Sequence, residues 1–342
     1  MHAAQDIIRR VGVNTLARAA VAAAARTLTF GWYKDYTACG CPVAGPVGTI
    51  EYVPILLYQG KVDVPGKLEL AAQQVARLWP QGSVADFADA LSLDRLATRL
   101  RRDAERYPRG SLFQVGIEPG YADNNDDRSA AEIVQDARAL REVLDGLGRG
   151  YRLALGGIST PRSEWTRHAY RGRYGADLWR EVLDLGGPDL FDAFVIHPYP
   201  TDPRRPELDD LEGQVRGARG LLAEYGLRCT ELLVGETGTP FPGIPLAVRC
   251  AYAAAAVRFY LTARDQRVGH PDDDGRLVQR FCWFVLSPPE WSVPGFTDNP
   301  GLDFAASALV SPSGELTAVG QVFQETVAAV CRETEEAAAG SS

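Results

Sequence analysis

The sequence predicts an α/β fold, a single (β/α)8 TIM barrel. Short apolar runs of strand length recur along its 342 residues, each leading into turn residues and then into a longer stretch with helical spacing. There are eight such runs, at 11–14, 28–33, 50–58, 112–118, 151–158, 191–199, 231–236 and 281–286. Near-continuous apolar strands alternating with helices imply a parallel sheet covered on its outer face. Eight units of this kind suggest closure into a barrel. The alternative is a doubly wound open sheet, but the first strand–helix turn lacks the Gly-rich phosphate fingerprint that such folds often use.

Taken in order, the first run, VGVN, follows Arg9-Arg10 and precedes the Ala-rich LARAAVAAAAR. A secretory leader wants an uninterrupted apolar core. Asn14, Arg18 and Arg26 interrupt this one, so it reads as a short strand and a helix. The second run ends in Trp32-Tyr33-Lys34-Asp35 and the third in Tyr58-Gln59. The fourth, FQVGIEPGYADNN, alternates Phe113, Val115 and Ile117 and then runs straight into Glu118-Pro119. Behind it Ser129 and Glu132 make a capping box, and Ile133, Ala137, Leu140, Leu144 and Leu147 continue at helical spacing. The sixth run, FDAFVIHPYPTD, carries His197 and Tyr199, and 208–225 reads as the helix after it. The seventh, ELLVGETGTP, ends in Glu236; its helix follows with Pro245 suited to the first turn. The eighth, FCWFVLSPPEW, presents Trp283 with Trp291 beyond it. Residues 1–330 make the catalytic barrel, and 331–342 read as a polar, frayed C-terminal tail.

A net charge of −8 disfavours nucleic acid or an anionic membrane as partner. No run approaches the roughly 20 apolar residues that span a bilayer. The interrupted leader and this charge fit a cytoplasmic protein. Six Cys in a chain of this length are not a disulfide scaffold. Cys39 and Cys41 form a C-x-C in a Gly/Pro-rich loop, but no His or other Cys stands near to complete a metal set.

Active sites of barrels lie at the C-terminal ends of the strands. There the chain gathers two carboxylates, Glu118 and Glu236, with His197, Tyr199 and several aromatic residues. Aromatic faces beside carboxylates suit a sugar, whose C–H faces stack on rings while its hydroxyls hydrogen-bond. The fourth and seventh strands face each other across an eight-stranded barrel. Two carboxyl groups about 5–5.5 Å apart perform retaining glycoside hydrolysis, one protonating the leaving oxygen and the other attacking the anomeric carbon. Glu118 and Glu236 are therefore the candidate catalytic pair, and no metal or organic cofactor is required. Trp32, Tyr58, Asn124, His197, Tyr199, Trp283 and Trp291 are the candidate substrate contacts. The expected partner is a carbohydrate or small-molecule glycoside.

In this order and spacing the motifs resemble the clan A glycoside hydrolases, over most of the chain. GIEPGYAD is similar to that clan's GNEPDxAD pattern, VIHPY to its His-x-Tyr, and LLVGETG to its seventh-strand motif. IEYVPILLYQG and FCWFVL resemble the branch that includes endo-β-1,3-glucanases. The resemblance implies Glu118 as acid/base and Glu236 as nucleophile. One departure stands out: Ile117 occupies the position of the clan's Asn, whose amide holds the sugar 2-hydroxyl. This departure implies attenuated hydrolysis, and it motivates a second reading, a barrel that binds a saccharide without cleaving it; a third, independent of it, is a lyase or cyclase using the same carboxylates.

Overall fold

The computed structural model describes residues 2–15, 19–35, 42–45, 48–56, 93–121, 126, 128–159, 170, 172–202, 204–288 and 302–340. The strands are β1 Val11–Asn14, β2 Trp32–Lys34, β3 Val43–Gly45, β4 Gly48–Tyr52, β5 Ile55–Leu56, β6 Leu112–Val115, β7 Arg152–Ser159, β8 Ala193–His197, β9 Glu231–Thr237 and β10 Arg280–Phe284. They form one curled sheet in the order β3-β4-β2-β1-β10-β9-β8-β7-β6-β5, parallel throughout except for the β3–β4 hairpin. The expected third run is divided at Val53-Pro54 into β4, which pairs with β2, and β5, which pairs with β6. Proline has no N–H to give a ladder, and a break there is its ordinary effect. Leaving aside the β3 hairpin strand, the parallel part of the strand order thus begins and ends on strands that are consecutive in the chain, β4 and β5. Backbone bonds tie them on either side, from Val53 N to Tyr33 O and from Gln114 N to Pro54 O.

Helices cover the sheet: α1 His2–Arg10, α2 Ala19–Ala24, α3 Leu93–Asp103, α4 Ala130–Gly146, α5 Gly175–Gly186, α6 Leu208–Glu224, α7 Leu246–Thr262, α8 Phe304–Ser307 and α9 Ala318–Gly340. The Ser129–Glu132 capping box is formed, each residue satisfying the other's backbone N–H at the start of α4. Pro245 is the N-cap residue of α7. Residues 331–340, expected as a frayed tail, instead continue α9, whose run of Glu and Ala favours helix. Among the described residues no helix is long and apolar enough to cross a membrane.

The strand period of two divides side chains between two compartments. Val11, Val13, Phe113, Leu155, Phe194, Leu232, Val234 and Phe281 join the large core beneath the helices. Trp32, Val53, Leu112, Ala154, Ala193, Val195, Leu233 and Cys282 form a separate inner cluster. Gly12 makes room within it, since a Cβ there would stand 2.2 Å from the Trp32 indole. A third cluster, with Ile117, Tyr199, Phe241, Phe284 and Phe304, lies toward the strand C-termini.

Candidate active site

Glu118 follows β6 and is 5% exposed. The turn before it depends on Gly116, at φ +71°, where any Cβ would also stand 2.8 Å from the Arg128 guanidinium. Arg128 is itself buried between Asp126 (Nε to Oδ1, 2.9 Å) and Asp136 (Nη1 to Oδ2, 3.1 Å). Asp126 also accepts from Gly120 N, so one ionic knot braces both sides of the Glu118 turn.

Glu236 reaches the same space through an irregularity. In β9, Leu232 and Val234 face the helices, and continued alternation would send Glu236 the same way. The register with β10 shifts between Phe281–Val234 and Trp283–Thr237, inserting one extra residue on β9. A bulge of this kind re-aims the side chain after it, and Glu236 turns to the interior. Tyr260 holds the next residue, its hydroxyl 2.9 Å from Thr237 Oγ1.

His197 closes β8 between the two carboxylates. Its Nδ1 lies 2.8 Å from Glu118 Oε1 and 3.8 Å from Glu236 Oε2. Its ring occupies a slot between two glycines: a Cβ on Gly157 would stand 2.1 Å from Nε2, and one on Gly235 2.9 Å. Gly157 sits at a second register shift, between Leu155–Phe194 and Ile158–Ile196. Among the described residues Nε2 has no hydrogen-bond partner. A proton on that buried nitrogen would be an unmet donor, so the proton belongs on Nδ1, donating to Glu118.

Three further groups hold Glu236. Asn14 Nδ2 donates to Oε1 at 3.1 Å, and the Lys34 ammonium lies 3.6 Å from the same oxygen. The Tyr199 hydroxyl donates to Oε2 at 3.0 Å. Burial, then the negative charges of Glu236 and Glu118, push that phenol well above its ordinary range, so it stays a donor. Burial and then the charge of Glu118 likewise raise Tyr170, whose oxygen accepts from Ser159 N.

One ligand atom each from Glu118, His197 and Glu236 lie within 4.8 Å of one another, a spacing that a metal ion could use. Two features fit a cation poorly. A metal-bound His donates its other N–H to a polar partner, which Nε2 does not have among the described residues. An ammonium also stands against one of the carboxylates. The donor set suits proton transfer between two carboxyl groups.

Of the residues singled out from sequence, Glu118, Glu236, His197 and Tyr199 are brought together. Trp32 and Trp283 are not. Trp32 lies in the inner cluster with its indole N–H directed to Arg10 O, before the start of β1. Trp283 points outward, donating to Ser307 O and meeting Phe323 of α9 edge-on at 6.0 Å. Strand alternation explains this: Cys282 and Phe284 face inward, and Phe284 meets Tyr199 at 6.4 Å. Tyr58, Asn124, Trp291, Cys39 and Cys41 lie outside the described residues. Asn14 and Lys34 join the site without standing among those residues. Both stand at the ends of strands, the one signal by which they could have been found.

No family model matches the chain, and no curated protein is similar to it in sequence. Solved structures are similar in fold. A GH128 endo-β-1,3-glucanase from Sorangium cellulosum matches at TM-score 0.54 and 16% identity, over 93% of this chain and 98% of that one. A GH128 endo-β-1,3-glucanase from Lentinula edodes matches at 0.55 and 14%, over 92% and 98%. A monomeric β-xylosidase from Caulobacter crescentus matches at 0.57 and 12%, over 93% and 67%. At these identities the likeness is one of fold, and the neighbours are glycoside hydrolases.

Proposed function

We propose that the chain is a retaining β-glycosidase on a closed (β/α)8 barrel, with Glu236 as nucleophile and Glu118 as acid and then base. The observation that carries this is the convergence of two buried carboxylates on His197, one oxygen of each lying within 4.8 Å of the other. Retaining enzymes hold their carboxyl groups about 5–5.5 Å apart, whereas inverting enzymes leave ~6.5–9.5 Å for a water. The three fold neighbours named above, two glucanases and a xylosidase, support the same class.

Glu236 Oε2, on the side of His197 and Glu118, attacks the anomeric carbon, and the glycosidic C–O bond breaks. The leaving oxygen takes the proton from Glu118, whose other oxygen His197 keeps oriented. Water then enters, gives a proton back to Glu118 and its oxygen to the anomeric carbon, and frees Glu236. The substrate is a carbohydrate or glycoside.

A second reading has one observation behind it. Ile117, 4% exposed, extends an apolar cluster with Phe284 and Phe304 up to the acid, where an amide would grip the sugar. A barrel that binds a saccharide without cleaving it fits that substitution. The test is turnover of a panel of aryl β-glycosides by the native protein and by Glu236→Gln. The hydrolase reading expects native turnover with retained configuration, and none from the variant, with ligand binding intact by calorimetry. Binding without turnover by the native protein selects the second reading.

A further inference from the structure

Resting on the hydrolase reading, we propose that Lys34 is a positioning residue that makes Glu236 the nucleophile of the pair by anchoring its Oε1 from beneath with a buried charge. Lys34 is 0% exposed, and among the described residues its Nζ has no hydrogen-bond partner; the Glu236 carboxylate at 3.6 Å is its ion-pair partner. A buried ammonium is retained only where a compensating charge meets it. Lys34 shares its level in the sheet with Asn14, its cross-strand neighbour, and both groups bear on the same oxygen. The cation and the amide thus converge on Oε1, while Oε2, which accepts from Tyr199 and lies 3.8 Å from His197 Nδ1, is the oxygen that attacks carbon on the hydrolase reading.

The other groups around this carboxylate do not supply that positive charge. Tyr199 is a neutral donor, and burial raises the Cys282 thiol far above its ordinary range, leaving it neutral. His197 gives its proton to Glu118, and Asp35, next to Lys34, accepts from Tyr52 at 2.7 Å. The ammonium acts on Glu236 in the states in which that carboxylate is ionised, before attack and on its release from the glycosyl-enzyme. It orients the carboxylate before attack and favours its departure as an anion when the glycosyl-enzyme is hydrolysed.

The test is a stability cycle that uses no substrate: wild type, Lys34→Met, Glu236→Gln and the double variant, each unfolded in denaturant at neutral pH. Lys34→Met strands a buried carboxylate, and neutralising that carboxylate should relieve the penalty. The expected result is that Lys34→Met lowers the folding equilibrium constant at least tenfold more in the native background than in the Glu236→Gln background. If Lys34→Met alone does not fold, a cooperative transition restored in the double variant supports the pairing. A penalty of equal size in both backgrounds, or a double variant as unfolded as the single one, overturns it. In the hydrolytic assay Lys34→Met should lose ~10²–10³ in kcat/KM. Its acid limb should move to higher pH, because removing a cation disfavours the ionised carboxylate. Lys34→Arg should restore part of the rate. An unchanged acid limb in a folded, active Lys34→Met overturns the proposal. Absence of all turnover by the wild type counts against the hydrolase reading alone, because the stability cycle does not depend on it.

Discussion

Single side chains decide how this site is charged and how apolar its wall is. Ile117 belongs to an apolar cluster with Phe284 and Phe304 while its neighbour Glu118 is held by His197. Ile117→Asn should raise kcat/KM on aryl β-glycosides, by as much as ~10²–10³ if the amide gains a transition-state contact. It should also lower stability by about 1–3 kcal/mol, because the amide enters an apolar cluster. Rates and melts of both proteins check the two directions, and a folded variant slower than wild type would mean the site is built around the isoleucine. Arg128 is the contrasting case, a residue with no chemistry and a large structural effect. Arg128→Ala leaves Asp126 and Asp136 buried without their partner, and should cost about 3–5 kcal/mol in denaturant unfolding. At this scale the sequence was legible where a carboxylate or imidazole ended an apolar strand, as at Glu118, His197 and Glu236. It was not legible for Asn14 and Lys34, because a polar residue ending a strand reads equally well as the start of a loop.

Elements place these residues through irregularities more than through regular repeat. The bulge in β9 turns Glu236 inward, and the shift in β7 opens the slot that His197 fills. Gly157→Ala should drive a methyl into the imidazole, lower stability by about 1–3 kcal/mol and reduce turnover with it. Gly213→Ala is the control: it lies in α6 with nothing within 4 Å of a Cβ, and should leave turnover unchanged while stabilising by ~0.5–1 kcal/mol. The strands and the α4 capping box were readable because burial and capping leave a local pattern. The facing of Trp283 was not, since one residue of phase moves a side chain between the helix layer and the interior, and neither was the level of Trp32, which faces inward but directs its indole to Arg10 O, away from the site. Nothing local in ELLVGETG signals the extra residue that re-aims Glu236.

The whole sheet is organised around the segment that carries β4 and β5 at its two ends. If the sheet closes there, the amides of Val53, Gln114 and Gly116, bonded to Tyr33, Pro54 and Leu56, should exchange with deuterium as slowly as those of β8 and β9. Fast exchange at all three would describe two open edges. The pairing of β1 with β10 has a separate consequence, for the time course of synthesis. Asn14 and Glu236 are separated by 222 residues. At about 5–20 residues per second a ribosome takes roughly 10–45 s to make the second after the first. Throughout that interval β1 has no β10 to lie against, and the outward valines of the strand, Val11 and Val13, face whatever the nascent chain meets. The first residue of the candidate site to leave the ribosome is thus among the last to find its partner, so the emerging polypeptide carries a sticky β1 segment that invites chaperone capture until β10 is made.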